Sequence, residues 1–353
     1  MVEPVPPTTA GGRDEWLRPG AFEVAPGVHR LPLPLPNDGL RAVNVYALPQ
    51  DGGVVLVDGG WAIPEGRAAL ASGLDALGHD VADIRQIYVT HIHRDHYSQA
   101  LALRKEHGVR VALGRGERPS LEAMREADRR PLASQVAHLR AAGAGALVDH
   151  FTAATRDAGP GDPTWYEDPD DWLDEGTTHL GGRQVEVIAT PGHTRGHVVY
   201  YDRVAGLLLA GDHVLPTITP SIGFEPTITP DPLGAFLRSL GTIRALPDAT
   251  LLPAHGPVVP SVHRRIDELV EHHGRRLDQT EAAVGHGATT SYEVAGVLRW
   301  TRRERRFTEL DLFNQMLAVI ETDAHLRLLL AQGRLAREAD DGGVRRFTVA
   351  SAA

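Results

Sequence analysis

THIHRDHY, residues 90–97, places three imidazoles and a carboxylate within six consecutive positions, His91 to His96. The preceding RQIYVT (85–90) is rich in β-branched and aromatic residues and reads as a strand, so the cluster is delivered at a strand's C-terminal end. Alternate residues of an extended segment face the same way, and His91 and His93 can therefore address one ion. Asp95 and His96 fall where the next helix begins and can reach a second point nearby. The chain has no cysteine, so any metal must be held by nitrogen and oxygen. Four such residues cannot complete two four-coordinate sites, and further donors must come from elsewhere.

Three later strands bring them. TPGHTRGH (190–197) offers His193, GLLLAGD (206–212) offers Asp212, and ATLLPAHG (249–256) offers His255. Each donor follows an apolar run and stands beside glycine, where a chain can turn to aim a side chain into a shared cleft. The surrounding order is that of an α/β body. Short strands fill residues 21–49, and GVVLVDGG (53–60) ends at Asp58. A helix over Pro64–Leu77 has proline at its start. The strand 85–90, a helix over 97–106 and the strand VRVAL (109–113) follow. Residues 114–180 interrupt this rhythm as an insert. They read as a helix over 117–142, then a Gly/Asp/Pro-rich stretch holding Trp165, Tyr166 and Trp172. Strands resume at 183–190, 198–202 and 206–212, with a helix at 232–246 and a last strand at 249–256.

The motifs H-x-H-x-D-H, PGHT-x-GH, GD and AHG, in that order over residues 21–260, resemble the metallo-β-lactamase-fold hydrolase superfamily, in its thioesterase/glyoxalase II-like branch. The resemblance implies an αββα sandwich with a two-metal site at one edge of the sheets. By motif, His91, His93 and His193 would hold one ion, and Asp95, His96 and His255 the other, with Asp212 bridging. Two zinc ions are the expected cofactors, with iron or manganese as alternatives for an all-N/O site. Hydrolysis would follow attack by a metal-bound hydroxide, with Asp95 also handling its proton. His213, beside Asp212, is a candidate catalytic group facing substrate. Asp58 and His197 are expected to orient ligands by hydrogen bonds. Tyr97, Trp165, Tyr166, Trp172, Ile222 and Phe224 are candidate substrate-binding residues, and the other histidines, His272 and His273 among them, read as surface residues.

The net charge of −10 lies entirely in the first 260 residues, since residues 261–350 carry 14 arginines against 14 acidic groups. An acidic body disfavours nucleic acid as main partner, because phosphate neutralisation needs a basic surface. Residues 1–20 lack an apolar stretch and read as a disordered leader, and no run is long enough to span a membrane. A cytoplasmic protein without membrane attachment is expected. Residues 261–353 read as three helices and a terminal hairpin about DDGG, a winged-helix-like module. In it Thr290 and Glu293 form a capping-box pattern, Gly333 ends the last helix, and the arginines at 302, 303, 305 and 306 read as a solvated helix end. PTITP occurs twice, at 216–220 and 226–230, marking an extended loop after Asp212.

The substrate expected is an acyl thioester, either a small molecule or one linked to a carrier: acyl-CoA, acyl-carrier protein or acyl-glutathione. An endoribonuclease that holds RNA on its tail, a lactonase or small-ester hydrolase, and a regulator that merely retains the metal site are the competing readings. The tail could instead serve as a pocket wall or a homodimer contact.

Overall fold

The computed structural model describes residues 14–36, 39–126, 133–156, 163–339 and 342–350. Residues 1–13 of the expected leader, 127–132 of the expected helix over 117–142, and 340–341 of the expected terminal turn lie outside the described residues. Residues 15–17 of the leader form a turn of 3₁₀-helix.

Seven strands form the first sheet in sequence order: β1 (Phe22–Ala25), β2 (Val28–Pro34), β3 (Ala42–Gln50), β4 (Gly53–Val57), β5 (Ile84–Val89), β6 (Arg110–Gly114) and β7 (Asp171–Leu173). The first four run antiparallel, and β4 to β7 run parallel. The second sheet contains β8 (Gly176–Leu180), β9 (Arg183–Ala189), β10 (Val198–Asp202), β11 (Leu207–Gly211) and β12 (Thr250–Pro253), ordered β12-β11-β10-β9-β8. Only its β11–β12 pair is parallel.

Period-2 side-chain alternation stacks these sheets. In β4, Val54 and Leu56 pack against the helices while Val55 and Val57 face the other sheet. In β10 and β11, Val198, Tyr200, Leu207 and Leu209 face inward, and Val199, Tyr201, Leu208 and Ala210 face outward. Helices α1 (Pro64–Asp75) and α2 (Arg94–His107) cover the first sheet through Leu70, Leu74, Tyr97, Ala100 and Leu103. The segment 114–180 contributes α3 (Arg118–Glu126), α4 (Ala133–Ala141) and α5 (Gly145–Ala154). It does more than interrupt the body, because its last residues supply β7 and β8, an edge strand for each sheet. Both were missed in the sequence, since β7 is three residues long and β8 mostly polar and exposed.

On the outer face of the second sheet lie α6 (Pro232–Arg244), α7 (Val262–Gly285), α8 (Ser291–Val297) and α9 (Leu312–Ala331), sharing one buried cluster with that face. The architecture is therefore the expected αββα sandwich with a helical C-terminal module. Local signals set the helix starts. The Asp231, Ser261 and Asp311 side chains accept the N–H groups of Gly234, Arg264 and Asn314, and Thr290 with Glu293 forms the expected capping box. The run at 299–306 is not a helix end. It pairs as a small ribbon, β13 (Arg299–Trp300) with β14 (Arg305–Arg306). A second hairpin, β15 (Leu335–Ala339) with β16 (Arg345–Val349), closes the chain. His273, expected at the surface, is fully buried, because its face of α7 packs on α9 and brings it 3.2 Å from His325.

Candidate metal centre

The C-terminal ends of β5, β9, β11 and β12 lie along one edge of the sandwich, and each carries donors. His91 and His93 leave β5, Asp95 and His96 form the first turn of α2, and His193, Asp212 and His255 follow β9, β11 and β12. All seven converge into two donor groups. His91, His93, His193 and Asp212 form one, and Asp95, His96 and His255 the other, with the donor atoms of each group within 4.8 Å of one another. His93 Nδ1 stands 3.0 Å from both His91 Nε2 and His193 Nε2. Asp212 faces both groups. Its Oδ2 lies 3.4 Å from His193 Nε2, and its Oδ1 lies 3.4 Å from His255 Nε2 and 3.8 Å from His96 Nε2. Asp95 Oδ2 closes the second group at 3.3 Å from His255 and 3.6 Å from His96.

These residues fit a pair of cations. Nitrogen ligands about a tetrahedral zinc stand roughly 3.3 Å apart, given Zn–N distances of about 2.0–2.1 Å. Buried polar groups ordinarily find partners, yet His96 Nε2, His255 Nε2 and Asp212 Oδ1 are buried with no hydrogen-bond partner. All three point at the same place.

The opposite ring nitrogens explain why these lone pairs face inward. His96 Nδ1 donates to Asp58 Oδ2 at 2.9 Å, His193 Nδ1 to the Ser221 carbonyl at 2.8 Å, and His255 Nδ1 to the Ala42 carbonyl at 2.7 Å. Thr90 relays the same effect to His91. Its hydroxyl donates to Asp58 and accepts from His91 Nδ1 at 3.0 Å. Each bond fixes a tautomer that leaves the inward nitrogen free to bind. Asp58 thus orients two ligands, and it does so from a left-handed backbone at φ 64°, an uncommon place for a residue other than glycine. His197 is also an orienter. Its Nε2 accepts the Asp212 N–H at 3.1 Å and its Nδ1 donates to Thr190 Oγ1 at 2.8 Å, which leaves no lone pair for metal. The close approach requires glycine at 211, where φ is 50° and a Cβ would stand 2.7 Å from His197 Nε2.

Electrostatics divides the centre. Burial, reinforced by neighbouring imidazoles, holds His91 well below the usual histidine value and His93 at about 3, and burial puts His193 at about 4. These are neutral donors at neutral pH. Burial acts the same way on His96 and His255 but is overridden by carboxylates. Asp58, Asp95 and Asp212 raise His96 to about 10, and Asp212 and Asp95 raise His255. Burial would raise Asp95, but His96 and His255 hold it below the usual carboxylate range. The carboxylates thus make the second group a place that favours positive charge, as protons on its imidazoles or as a cation.

A cavity of about 2260 Å³ opens over His93, Asp95, His193 and Asp212 and runs to the C-terminal module. Of the residues expected on its walls, Trp165, Tyr166 and Phe224 line it, and the Phe224 ring stands 6.5 Å from that of His93. The others do not reach it. Tyr97 is buried under the first sheet with its hydroxyl on the Glu167 carbonyl, Trp172 packs against that same core from β7, and Ile222 is buried in the outer cluster. His213, expected to face substrate, is fully buried with its ring 5.3 Å from Phe236 and lines no part of the cavity. Several supports went unread in the sequence. The Ala42 and Ser221 carbonyls carry no side-chain signal, and Thr90 shows only as the residue before His91.

Comparison with known proteins agrees with this geometry. Residues 38–255 match the metallo-beta-lactamase superfamily, and residues 277–350 match the metallo-beta-lactamase-like C-terminal domain. The chain is 28% identical over 148 residues to Beta-lactamase-like protein 2 homolog of Caenorhabditis elegans, covering 42% of either chain. It is 37% identical over 116 residues to Hydroxyacylglutathione hydrolase of Aeromonas hydrophila, covering 33% of this chain and 42% of that one. The matches therefore span well under half of these curated relatives. A metallo-beta-lactamase family protein from Thermus thermophilus superposes with a TM-score of 0.75 at 28% identity, over 93% of this chain and all of the other.

Proposed function

The chain belongs to the metallo-beta-lactamase superfamily, and from that premise we propose that it is a binuclear zinc hydrolase cleaving an acyl thioester. The observation that carries the binuclear reading is Asp212, whose two oxygens face two separate donor groups. A bound pair of cations would supply Lewis-acid activation of water and of the substrate carbonyl. His91, His93 and His193 would hold one, Asp95, His96 and His255 the other, and Asp212 both. The chain's own part is to present His91, His93 and His193 as neutral imidazoles, to surround His96 and His255 with carboxylates that favour positive charge, and to fix the orientation of the rings. Asp95, with 15% of its side chain exposed and lining the cavity, would be placed to orient the attacking water and receive its proton.

Two observations favour a thioester. The likeness over 116 residues is to a Hydroxyacylglutathione hydrolase, whose name specifies an acyl group carried on glutathione. The cavity has an aromatic wall that includes Trp165, Tyr166 and Phe224, with the Phe224 ring 6.5 Å from that of His93 and 5.7 Å from that of Phe313. The C-terminal helices, which we read as winged-helix-like, serve here as pocket wall, with a CoA, carrier protein or glutathione as thiol carrier.

The test is a panel of acyl thioesters, lactones and RNA offered to zinc-loaded protein. Thiol release should be lost with a chelator and return with zinc. Phe224→Ala should lower kcat/KM for an apolar acyl group by about tenfold, the equivalent of roughly 1.4 kcal/mol of lost apolar contact. Turnover of lactones or RNA with none of thioesters would refute this assignment.

A further inference from the structure

We propose that residues 216–230 are a strap through which the C-terminal helices fix the loop carrying His193, with Arg265 and Arg327 as its anchors and Glu225 as its clasp. The inference rests on the metal centre and not on the identity of the substrate.

The duplicated PTITP gives the strap its two legs. Prolines at 216, 220, 226 and 230 prevent helix formation and remove N–H donors. Carbonyls in such a segment are left to accept from elsewhere. An arginine from the module takes them on each leg. On the first, Arg265 of α7 donates to the Ile218 carbonyl at 2.9 Å and, just ahead of the strap, to the Leu215 carbonyl at 2.6 Å. On the second, Arg327 of α9 donates to the Thr229 carbonyl at 3.0 Å. Both guanidinium groups are largely shielded, with side chains 11% and 15% exposed. An arginine's planar fork fits such a task because it loses little freedom per bond formed.

Between the legs, the strap grips the ligand loop twice. The Ser221 carbonyl accepts His193 Nδ1, the bond that turns Nε2 toward the other donors. The buried Glu225 carboxylate accepts the Arg195 N–H with one oxygen and the Thr229 hydroxyl with the other. The second leg is thereby tied to the residue two after His193. The loop is pressed from the opposite side as well. The Thr194 hydroxyl donates to buried Glu117, and a Cβ on Gly196 would stand 2.0 Å from the Glu117 nitrogen. With little slack in the loop, a displaced strap would have to displace His193. Arg265 and Arg327 touch none of the seven donors and reach them only through this segment, which makes them positioning residues.

The test measures zinc affinity by chelator competition, and the visible spectrum of the cobalt(II) form, for Arg265→Met, Arg327→Met and Glu225→Ala. Each should weaken zinc binding by about 10- to 100-fold, the usual size for loss of a group that orients a ligand, and each should alter the cobalt spectrum. Arg244→Met removes an arginine bonded to Asp267 and His263 away from the strap and should change neither. Arg327 also pairs with Asp323. If its variant does not fold, Arg265→Met, whose other partner is the exposed Glu268, carries the test. The inference is overturned if Arg265→Met and Glu225→Ala melt like the parent, hold zinc as tightly and keep its cobalt spectrum. A parent that binds no zinc would instead remove the metal centre itself, and the strap's role with it.

Discussion

Asp212→Ala is expected to disrupt both halves of the metal centre at once and to lower kcat/KM by about 10³-fold or more, the loss that removal of one electrostatic element of an active site can reach. Its oxygens are the shared members of the two donor groups, one 3.4 Å from His193 and the other 3.4 Å from His255. Among the described residues no other carboxylate stands at ion-pair distance from histidines of both groups. Without it the first group keeps three imidazoles and no anion, and cations held close together lose the charge that offsets their repulsion. His213→Ala makes the contrast. That side chain is buried behind the centre against Phe236, so its removal should leave bound metal in place. Metal content after gel filtration, measured beside kcat/KM, checks both variants. An Asp212→Ala protein with full metal and parental turnover would contradict the assignment.

The largest effect on stability is expected at Asp323→Ala, at about 3–5 kcal/mol, the range for removing one partner of a buried ion pair. Asp323 is 1% exposed and sits where four segments meet. Its Oδ1 accepts Ser291 Oγ of α8 at 2.9 Å and Arg345 Nη2 of β16 at 3.0 Å. Its Oδ2 stands at ion-pair distance from Arg327 Nε, 2.6 Å, and His138 Nε2 of α4, 3.2 Å. Deleting the carboxylate leaves two guanidinium groups, both largely shielded, without their shared anion. Burial alone would raise this carboxyl, but His138, Arg327 and Arg345 hold it well below the ordinary value of 3.8. Its stabilisation is therefore complete above the unfolded-state value and drains away as the pH falls below about 4. Urea unfolding at pH 7 should show the full difference between parent and variant, and the gap should narrow in acid. A difference under about 1 kcal/mol at pH 7 would contradict this account of the hub.

The clustering of these side chains was legible because they stand at strand ends, with His193, Asp212 and His255 beside glycine and His91 and His93 spaced to face one way. His91, His93, His193, Asp212 and His255 all follow apolar runs that became β5, β9, β11 and β12. Proximity in sequence was a poorer guide to the pocket. Tyr97 follows His96 by one residue, but neighbours on a helix point roughly 100° apart, and Tyr97 turns into the core beneath the first sheet. His213 follows Asp212 by one residue but packs against Phe236 and lines no part of the cavity. What holds the donors was mostly invisible. The Ala42 and Ser221 carbonyls are backbone groups brought into place by tertiary packing, and Arg265 and Arg327 reach across from the module. The repeated PTITP was visible as a repeat, but its role depends on one arginine 98 residues beyond Thr229 and another 47 beyond Ile218.

Anomalous diffraction at the zinc edge, from crystals grown with zinc, tests the central claim most directly. Two peaks are expected, one bounded by His91, His93 and His193 and the other by Asp95, His96 and His255, with Asp212 between them. A single peak, no peak, or zinc bound away from these seven residues would contradict it.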